Sequence, residues 1–376
     1  MARRLRTALV GCGKVGSIHA SVLSSLPESE LVAHCDSQAE RAFAFASRYG
    51  GIAFQDVESM LRLVRPEAVF LCTPHPLHAW PAILAAEAGA HVMVEKPMAA
   101  SLEDCDRMIA AARKAGVLLG VVSQRRFYEP VRRVKEAIEA GKIGEPALGV
   151  FQMFSWRDEA YYRSDPWRGR WDTEGGGVLI NQSPHMIDLL RWFLGDVAEV
   201  GGAWANLNHP TVAVEDTAVA TLRFRSGGLG SIVASLSQKP GLYTKVHVHG
   251  SNGASIGVET DRGATFIAGV TAIAEPPVTD LWTVPGEEDL LASFQREDRA
   301  AFAAVDSTTH YHALQIRDFL QAAIESRPPQ VTGEDGRAVV EIITAVYRAQ
   351  REAAVIRLPV ETRRTHSERF AGPEDA

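Results

Sequence analysis

At 376 residues the chain is too long for one ordinary hydrophobic core, and roughly 150 residues per domain sets an expectation of two or three domains. Its 39 basic and 46 acidic residues leave a net charge of -7 with no basic block, so neither a nucleic acid nor an anionic membrane has a surface to hold. A small molecule is the expected partner, and Cys12, Cys35, Cys72 and Cys105 lack metal-ligand spacing, so no metal is expected and they read as unpaired thiols of a reduced compartment.

Arg3-Arg4 followed by Leu9-Val10-Gly11-Cys12 imitates an export signal. The apolar stretch before Cys12 is about half of the roughly 7 to 15 residues such a signal needs. No apolar run approaches the roughly 20 residues of a membrane span, so a soluble, cytoplasmic protein is expected.

Leu5–Val10 reads as a buried strand ending in Gly11-Cys12-Gly13-Lys14-Val15-Gly16, and a helix follows to about Leu26. In a strand, turn and helix the three glycines have separate tasks: a tight turn, room for a pyrophosphate, and close helix packing, with the helix N-terminus facing the anion. A second strand, Leu31–Cys35, ends at Asp36, where a carboxylate takes the adenosine ribose hydroxyls and repels a 2'-phosphate. NAD is therefore expected over NADP, with Arg41 and Arg48 the residues that could reverse the preference.

Helices over Arg41–Tyr49 and Val57–Val64 and a strand Ala68–Cys72 continue the alternation until Pro74 and Pro76 break it. The segment Thr73-Pro74-His75-Pro76 is expected as a loop at the carboxyl ends of the strands, where doubly wound sheets bind ligands, with His78 just beyond. After a helix over Trp80–Ala88, the strand His91–Val94 delivers Glu95-Lys96-Pro97 to the same edge. Pro97 holds Lys96 extended and admits a cis bond. There Lys96 would stand beside a nicotinamide, hydrogen-bond a substrate hydroxyl and stabilise the developing alkoxide. Helix Ser101–Ala115 and strand Val117–Val122 complete the sheet before a cluster at Gln124-Arg125-Arg126-Phe127.

Farther on, the insert after the strand at Phe151 gathers Trp156, Arg157, Tyr161, Tyr162, Trp167, Arg168 and Trp171. Flat rings can cover the C–H faces of a sugar while arginines take its hydroxyls; core or subunit packing is the competing use. Then Gly175-Gly176-Gly177 precede a helix in which Met186, Ile187, Leu189, Leu190 and Phe193 make one apolar stripe, with His185, Asp188 and Arg191 on another face. Either the helix starts at Ser183-Pro184, or it starts near Gly177 and bends at the proline. Only the second case stacks Asn181 over His185. Segments near 146–156, 197–206, 214–225, 229–237 and 243–249 read as strands, helical patterns return at 312–326 and 336–353, and the tail after Arg363 reads as frayed.

These pieces together resemble the glucose-fructose oxidoreductase and inositol dehydrogenase family, Gfo/Idh/MocA. They are GCGKVG with His19 three residues on, CTPHPLH, EKP, SQRRFYEPVRRVKEAIEAGKIGE, GGGVLINQSPHMIDLLRWFLG and HYHALQIRDFLQAAIESRPPQVTGEDGRAVVEII, and they span nearly the whole chain. The resemblance implies an α/β Rossmann NAD-binding domain over 1–123. It implies an α+β substrate and oligomerisation domain over 124–376, built on a large open, mostly antiparallel sheet. That sheet commonly buries one face against another subunit, which implies a homodimer or homotetramer.

The implied NAD contacts are Gly11, Gly13, Lys14, Val15, Gly16 and Asp36 from the first half of the sheet. From the second half they are Cys72, Thr73, Pro74, His78, Glu95, Lys96 and Gln124. Lys96 carries over to the lysine that holds the reacting hydroxyl, and His185 to the general acid or base, a task that an imidazole pKa near 6.5 suits. Substrate contacts carry over to Lys96, Arg126, Trp156, Arg157, Trp167, Asn181 and His185. Many members have an aspartate where this chain has Asn181, and an amide cannot stabilise an imidazolium by charge. Asn181 is left to hold a substrate hydroxyl or the ring's tautomer. The implied activity is NAD-dependent oxidation of a ring secondary alcohol of a sugar, anhydrosugar, glycoside or inositol, or the reverse. The alternatives are a lytic enzyme working by transient oxidation and a non-catalytic NAD sensor.

Overall fold

Short apolar runs buried on both faces and punctuated by glycine and proline make parallel strands, whereas strict alternation makes strands with one covered face. The chain uses the first device early and the second later. A computed structural model describes residues 3–260 and 275–360, so the tail expected to fray after Arg363 lies outside the described residues.

The early elements are β1 (Leu5–Val10), α1 (Lys14–Ser25), β2 (Ser29–Cys35), α2 (Ala39–Tyr49), β3 (Ile52–Phe54), α3 (Val57–Val64), β4 (Ala68–Leu71), α4 (Ala79–Glu87), β5 (His91–Val94), α5 (Leu102–Ala115) and β6 (Leu119–Val121). Next come α6 (Glu129–Glu139), β7 (Pro146–Phe154), α7 (Glu159–Arg163), α8 (Trp171–Glu174), α9 (Pro184–Leu194), β8 (Val197–Ala205), β9 (Thr217–Phe224), β10 (Leu229–Ser235), β11 (Tyr243–Gly250), β12 (Ser255–Thr260) and β13 (Val278–Trp282). The chain closes with α10 (Leu291–Ala303), α11 (His310–Glu325), α12 (Gly333–Glu352) and β14 (Ile356–Arg357). The expected strands and helices are present with their ends moved by a few residues. The sequence pattern missed β3, β12, β13, β14, α6, α7, α8 and α10.

The described residues fall into two units. In the first, six parallel strands run in the order β3-β2-β1-β4-β5-β6, so the order reverses between β1 and β4, beside the glycine turn. This is the switch point at which doubly wound sheets bind ligands.

A single boundary at 123/124 does not describe the chain. The first unit reaches Gln124, but Ser307–Ala338 return to it. The reason is burial: α11 lays Ile316, Phe319, Leu320 and Ala323 into the core formed by Leu5, Leu9, Leu23, Phe70 and Met93. Phe319 meets Phe70 edge-on at 5.9 Å, and a Cβ on Gly120 would lie 2.9 Å from the Phe319 ring. Gln315 then serves the last strand, accepting from Ser123 N–H at 2.9 Å and donating to Val121 O at 2.8 Å.

The second unit holds eight strands in the order β13-β12-β11-β7-β10-β9-β8-β14, antiparallel except for the β7–β10 pair. Along β9, Ala218, Ala220, Leu222 and Phe224 point inward and are buried, whereas Val219, Thr221 and Arg223 are exposed. Helices α6, α9 and α10 pack on the sheet. No helix among the described residues is long and apolar enough to cross a membrane.

Phe319→Ala should cost about 3–5 kcal/mol of stability, the usual cost of emptying a buried phenylalanine site. Urea unfolding checks this; a cost below about 1 kcal/mol would place α11 outside the first unit's core.

Candidate active site

In the first unit the three glycines do different work. Gly11 has φ +97°, and a Cβ there would lie 2.6 Å from the Cys72 carbonyl carbon, so the ends of β1 and β4 close up only without a side chain. A side chain on Gly16 would overlap the Gly11 carbonyl, so this glycine lets α1 sit against the turn. Gly13, at φ -96°, has no atom within 4 Å of its notional Cβ. Its hydrogen side chain serves neither packing nor conformation, and the open space beside it fits a pyrophosphate at the start of α1. Lys14 is exposed and Val15 half-buried on that first turn. Asp36, at the tip of β2, is fixed against the turn: it accepts the Cys12 N–H at 2.8 Å and the Gln38 N–H at 2.9 Å. The remaining lone pairs of its carboxylate suit ribose hydroxyls.

The loop after β4 carries Cys72, Thr73 and Pro74, and His78 braces it from within. His78 is wholly buried, its Nε2 donates to Thr73 O at 2.8 Å, and its Nδ1 lies 3.2 Å from the Pro97 and Met98 carbonyls. Burial holds its pKa below the usual histidine range. Direct contact of the His78 ring with a cofactor, expected above, gives way to this role, because both nitrogens face backbone carbonyls. The ring packs between the Thr73 loop and the corner at Lys96-Pro97, whose peptide is cis, with its one N–H on the Thr73 side.

Glu95 anchors that corner. Its Oε2 accepts the Lys96 backbone N–H at 3.1 Å and its Oε1 accepts from His19 Nε2 at 2.8 Å. The three buried groups His19, Glu95 and His312 bring their ligating atoms within 4.8 Å of one another. Burial pushes the Glu95 pKa up, but the hydrogen bond and charge of His19 outweigh it and bring it down to about 2. Burial likewise lowers His312 to about 4, so that ring stays neutral. Gln124, at the end of this unit, is buried.

In the second unit the His185 helix starts on a buried carboxyl group. Glu215 accepts N–H groups from Gly177 at 2.7 Å and Leu179 at 3.0 Å, and the Tyr347 hydroxyl donates to it at 2.8 Å. Burial raises its pKa to about 7 against these donors. Gly176 has φ +148°, and any side chain there would run into the Tyr347 hydroxyl.

Val178–Gln182 form a π-helical turn that runs into α9. Pro184 has no N–H to bond Ile180, and the Ser183 N–H reaches back five residues to Val178 O at 3.0 Å, widening the turn. The structure combines the two starts open in the sequence: a π-helical turn begins at Val178, and α9 itself begins at Pro184 behind Ser183. His185 is buried in the first turn of α9. Asn181 donates to Tyr161 Oη at 3.3 Å and, in a short contact, to Glu174 Oε1.

Arg126 is a correction. It grips Asp188 with two hydrogen bonds of 2.8 and 2.5 Å, both residues are 3 % exposed, and Trp192 lies under the guanidinium at 5.0 Å. A buried charge needs its partner, so Arg126 is committed to holding α9 and not to a substrate. The polar face expected at Asp188 is for the same reason an ion pair inside the protein.

The aromatic insert divides. Tyr161, Tyr162 and Trp171 are buried, and Trp171 packs against Trp204 at 5.1 Å and Tyr347 at 5.2 Å. Trp156, Arg157 and Trp167 are half-buried, with Trp156 beside His209 at 5.6 Å and Arg168 over the Trp167 ring at 4.4 Å. Sequence reasoning missed His312, Glu174 and Glu215 as parts of the machinery. The signal available was acidic residues inside otherwise apolar stretches.

Residues 5–123 match the oxidoreductase family with an NAD-binding Rossmann fold, and residues 131–256 match the GFO/IDH/MocA C-terminal domain. The chain belongs to the GFO/IDH/MocA oxidoreductases. Among solved structures, this GFO/IDH/MocA oxidoreductase is similar to the WlbA dehydrogenase from Bordetella pertussis in complex with NADH and UDP-GlcNAcA. The TM-score is 0.80 and the identity 31 %, covering 96 % of this chain and all 100 % of that one. The myo-inositol 2-dehydrogenase of Thermotoga maritima is 28 % identical over 94 % of this chain and 98 % of its own length. The D-glucoside 3-dehydrogenase of Escherichia coli is 31 % identical over 60 % of this chain and 68 % of its own length.

Gly13→Ala should fold normally, because its backbone angles are ordinary and its surroundings empty, yet lose NAD affinity more than about tenfold by crowding the pyrophosphate. Calorimetric titration beside a melting curve checks this; unchanged affinity would move the phosphates elsewhere.

Proposed function

We propose that this oxidoreductase moves a hydride between NAD and a ring secondary alcohol of a sugar, glycoside, anhydrosugar or inositol. The observation that carries the reading is Lys96 at the carboxyl end of β5, its backbone pinned by the buried Glu95 on the NAD-binding sheet. NAD, when bound, supplies the hydride acceptor. The glycine turn and Asp36 hold it, and the Asp36 carboxylate, fixed by two N–H groups, favours a free 2'-hydroxyl over a phosphate, hence NAD over NADP. The Lys96 ammonium donates to the substrate hydroxyl and stabilises the alkoxide that develops there. His185 takes the hydroxyl proton and returns it in the reverse direction. The half-buried Trp156, Arg157 and Trp167 receive the sugar's faces and hydroxyls. Relatives named for glucoside and inositol oxidation, and a neighbour holding a nucleotide sugar, support this substrate class. All four thiols are free, which supports a reducing, cytoplasmic setting.

Lys96→Ala and His185→Ala should each lower kcat about a hundred- to ten-thousand-fold with NAD affinity unchanged. NADH absorbance over a panel of sugars and polyols identifies the substrate, and the variants are then assayed on it. Wild-type turnover in His185→Ala, with chemistry rate-limiting, would make the imidazole structural.

The same reading includes a homodimer or homotetramer formed through the open face of the large sheet. There Leu148 and Leu229 are register partners, as are Val219 and Val233, and Leu148, Val219 and Leu229 are 41 %, 49 % and 49 % exposed. Paired apolar residues left in water at this density mark an interface. Leu229→Lys should shift sedimentation towards monomer; a monomeric wild type would remove the proposal.

A further inference from the structure

A buried carboxylate and an amide meet beside the start of the His185 helix. Glu174 ends α8 and is 1 % exposed. Its Oε2 accepts the Gly169 N–H at 2.5 Å, and its Oε1 accepts from the Asn181 side chain in the short contact. A carboxylate has no proton to give, so the amide must turn its nitrogen, not its oxygen, towards Glu174. The same nitrogen lies 3.3 Å from Tyr161 Oη, which also receives Gln182 Nε2 at 2.7 Å and Arg168 Nη1 at 2.5 Å. The orientation of Asn181 is thus dictated by the insert that precedes the helix.

We infer that Glu174 is a positioning residue that holds Asn181 nitrogen-inward, fixing the amide orientation that the turn before His185 offers to a bound substrate. The inference rests on the reading of His185 as acid or base. It also sets a charge count: with Glu174 ionised, the Glu174–Asn181 pair carries one negative charge. The charged and titratable groups around it are Arg168 and Arg157 beside the Tyr161 ring, the phenols of Tyr161, Tyr162 and Tyr347, and Glu215 across Tyr347. Burial pushes all three phenols up, so each stays neutral. Placing a second carboxylate at 181 therefore sets two acids against each other, and like charges at hydrogen-bond distance in a buried site cannot both ionise.

The first measurement needs no substrate. In the full-length protein at pH 7, Asn181→Asp should add a protonated-carboxyl band to the infrared spectrum relative to wild type, and Glu174→Gln/Asn181→Asp should remove it. No added band, in a variant with a wild-type melting curve, overturns the inference. The second measurement is turnover of the panel's best alcohol. Glu174→Gln and Asn181→Asp should each lower kcat about tenfold or more without changing NAD affinity, and the double variant should recover at least about tenfold over the weaker single. A double variant that shows the product of both losses makes Glu174 structural only and overturns the role. If Glu174→Gln fails to fold, the infrared result on Asn181→Asp still decides. Loss of turnover in His185→Ala with wild-type kcat in Glu174→Gln sinks this inference alone. Wild-type turnover in His185→Ala sinks the reading beneath it.

Discussion

The first unit depends on one buried carboxylate. Glu95 stands where α1, the end of β5 and the returning helix α11 meet, and its two oxygens are divided between the His19 ring and the Lys96 backbone. An ionised carboxylate taken out of water costs several kcal/mol unless it is paired and hydrogen-bonded. That cost is offset only when all three elements are in place, so the cluster works as a lock: α11 docks its apolar face, His312 comes up beside Glu95, and Lys96 is held at the strand end. Burial lowers the His312 pKa to about 4, so its ring fills the space beside Glu95 without adding a positive charge at neutral pH.

The second unit repeats the device. A helix leaves its first N–H groups without internal partners, and at the helix before His185 these are met by Glu215, a carboxyl group brought in from 38 residues away, and not by a side chain at the N-cap. The Tyr347 hydroxyl arrives from α12 to complete the set, and Gly176 is glycine because that hydroxyl occupies the space a side chain would need. The widened turn at Val178–Gln182 then carries the chain through Pro184 into α9 while Arg126 and Asp188 fasten the helix lower down.

Local features of the fold were legible in the sequence because they depend on neighbours in the chain. The glycine turn, the strand ending at Asp36 and the alternation along β9 need only residue type and period. What was not legible depends on partners far apart in sequence. That α11 belongs with the first unit follows from Phe319 meeting Phe70, and no periodicity records it. Arg126 looked free to meet a substrate because its partner Asp188 is 62 residues on. His78 looked like a cofactor contact because nothing local shows that its nitrogens face the Thr73 and Pro97 carbonyls. The strand β12 was missed because Gly257 and Glu259 interrupt its β-branched residues Ile256, Val258 and Thr260, and its register comes from β11.

Both side chains proposed to move charge share a construction. Lys96 precedes a proline and His185 follows one, so in each case a neighbouring ring with fixed φ narrows the backbone on which the reactive group is mounted. Each backbone is also held by a buried acid, Glu95 directly and Glu215 through the helix start. Ordering a residue at the moment of reaction costs roughly 1–2 kcal/mol for its backbone alone. Here folding has already met that cost, and only side-chain freedom remains to be lost when substrate binds. A site arranged this way stabilises developing charge with groups that need not reorganise, which is the condition under which hydrogen bonds contribute most to rate.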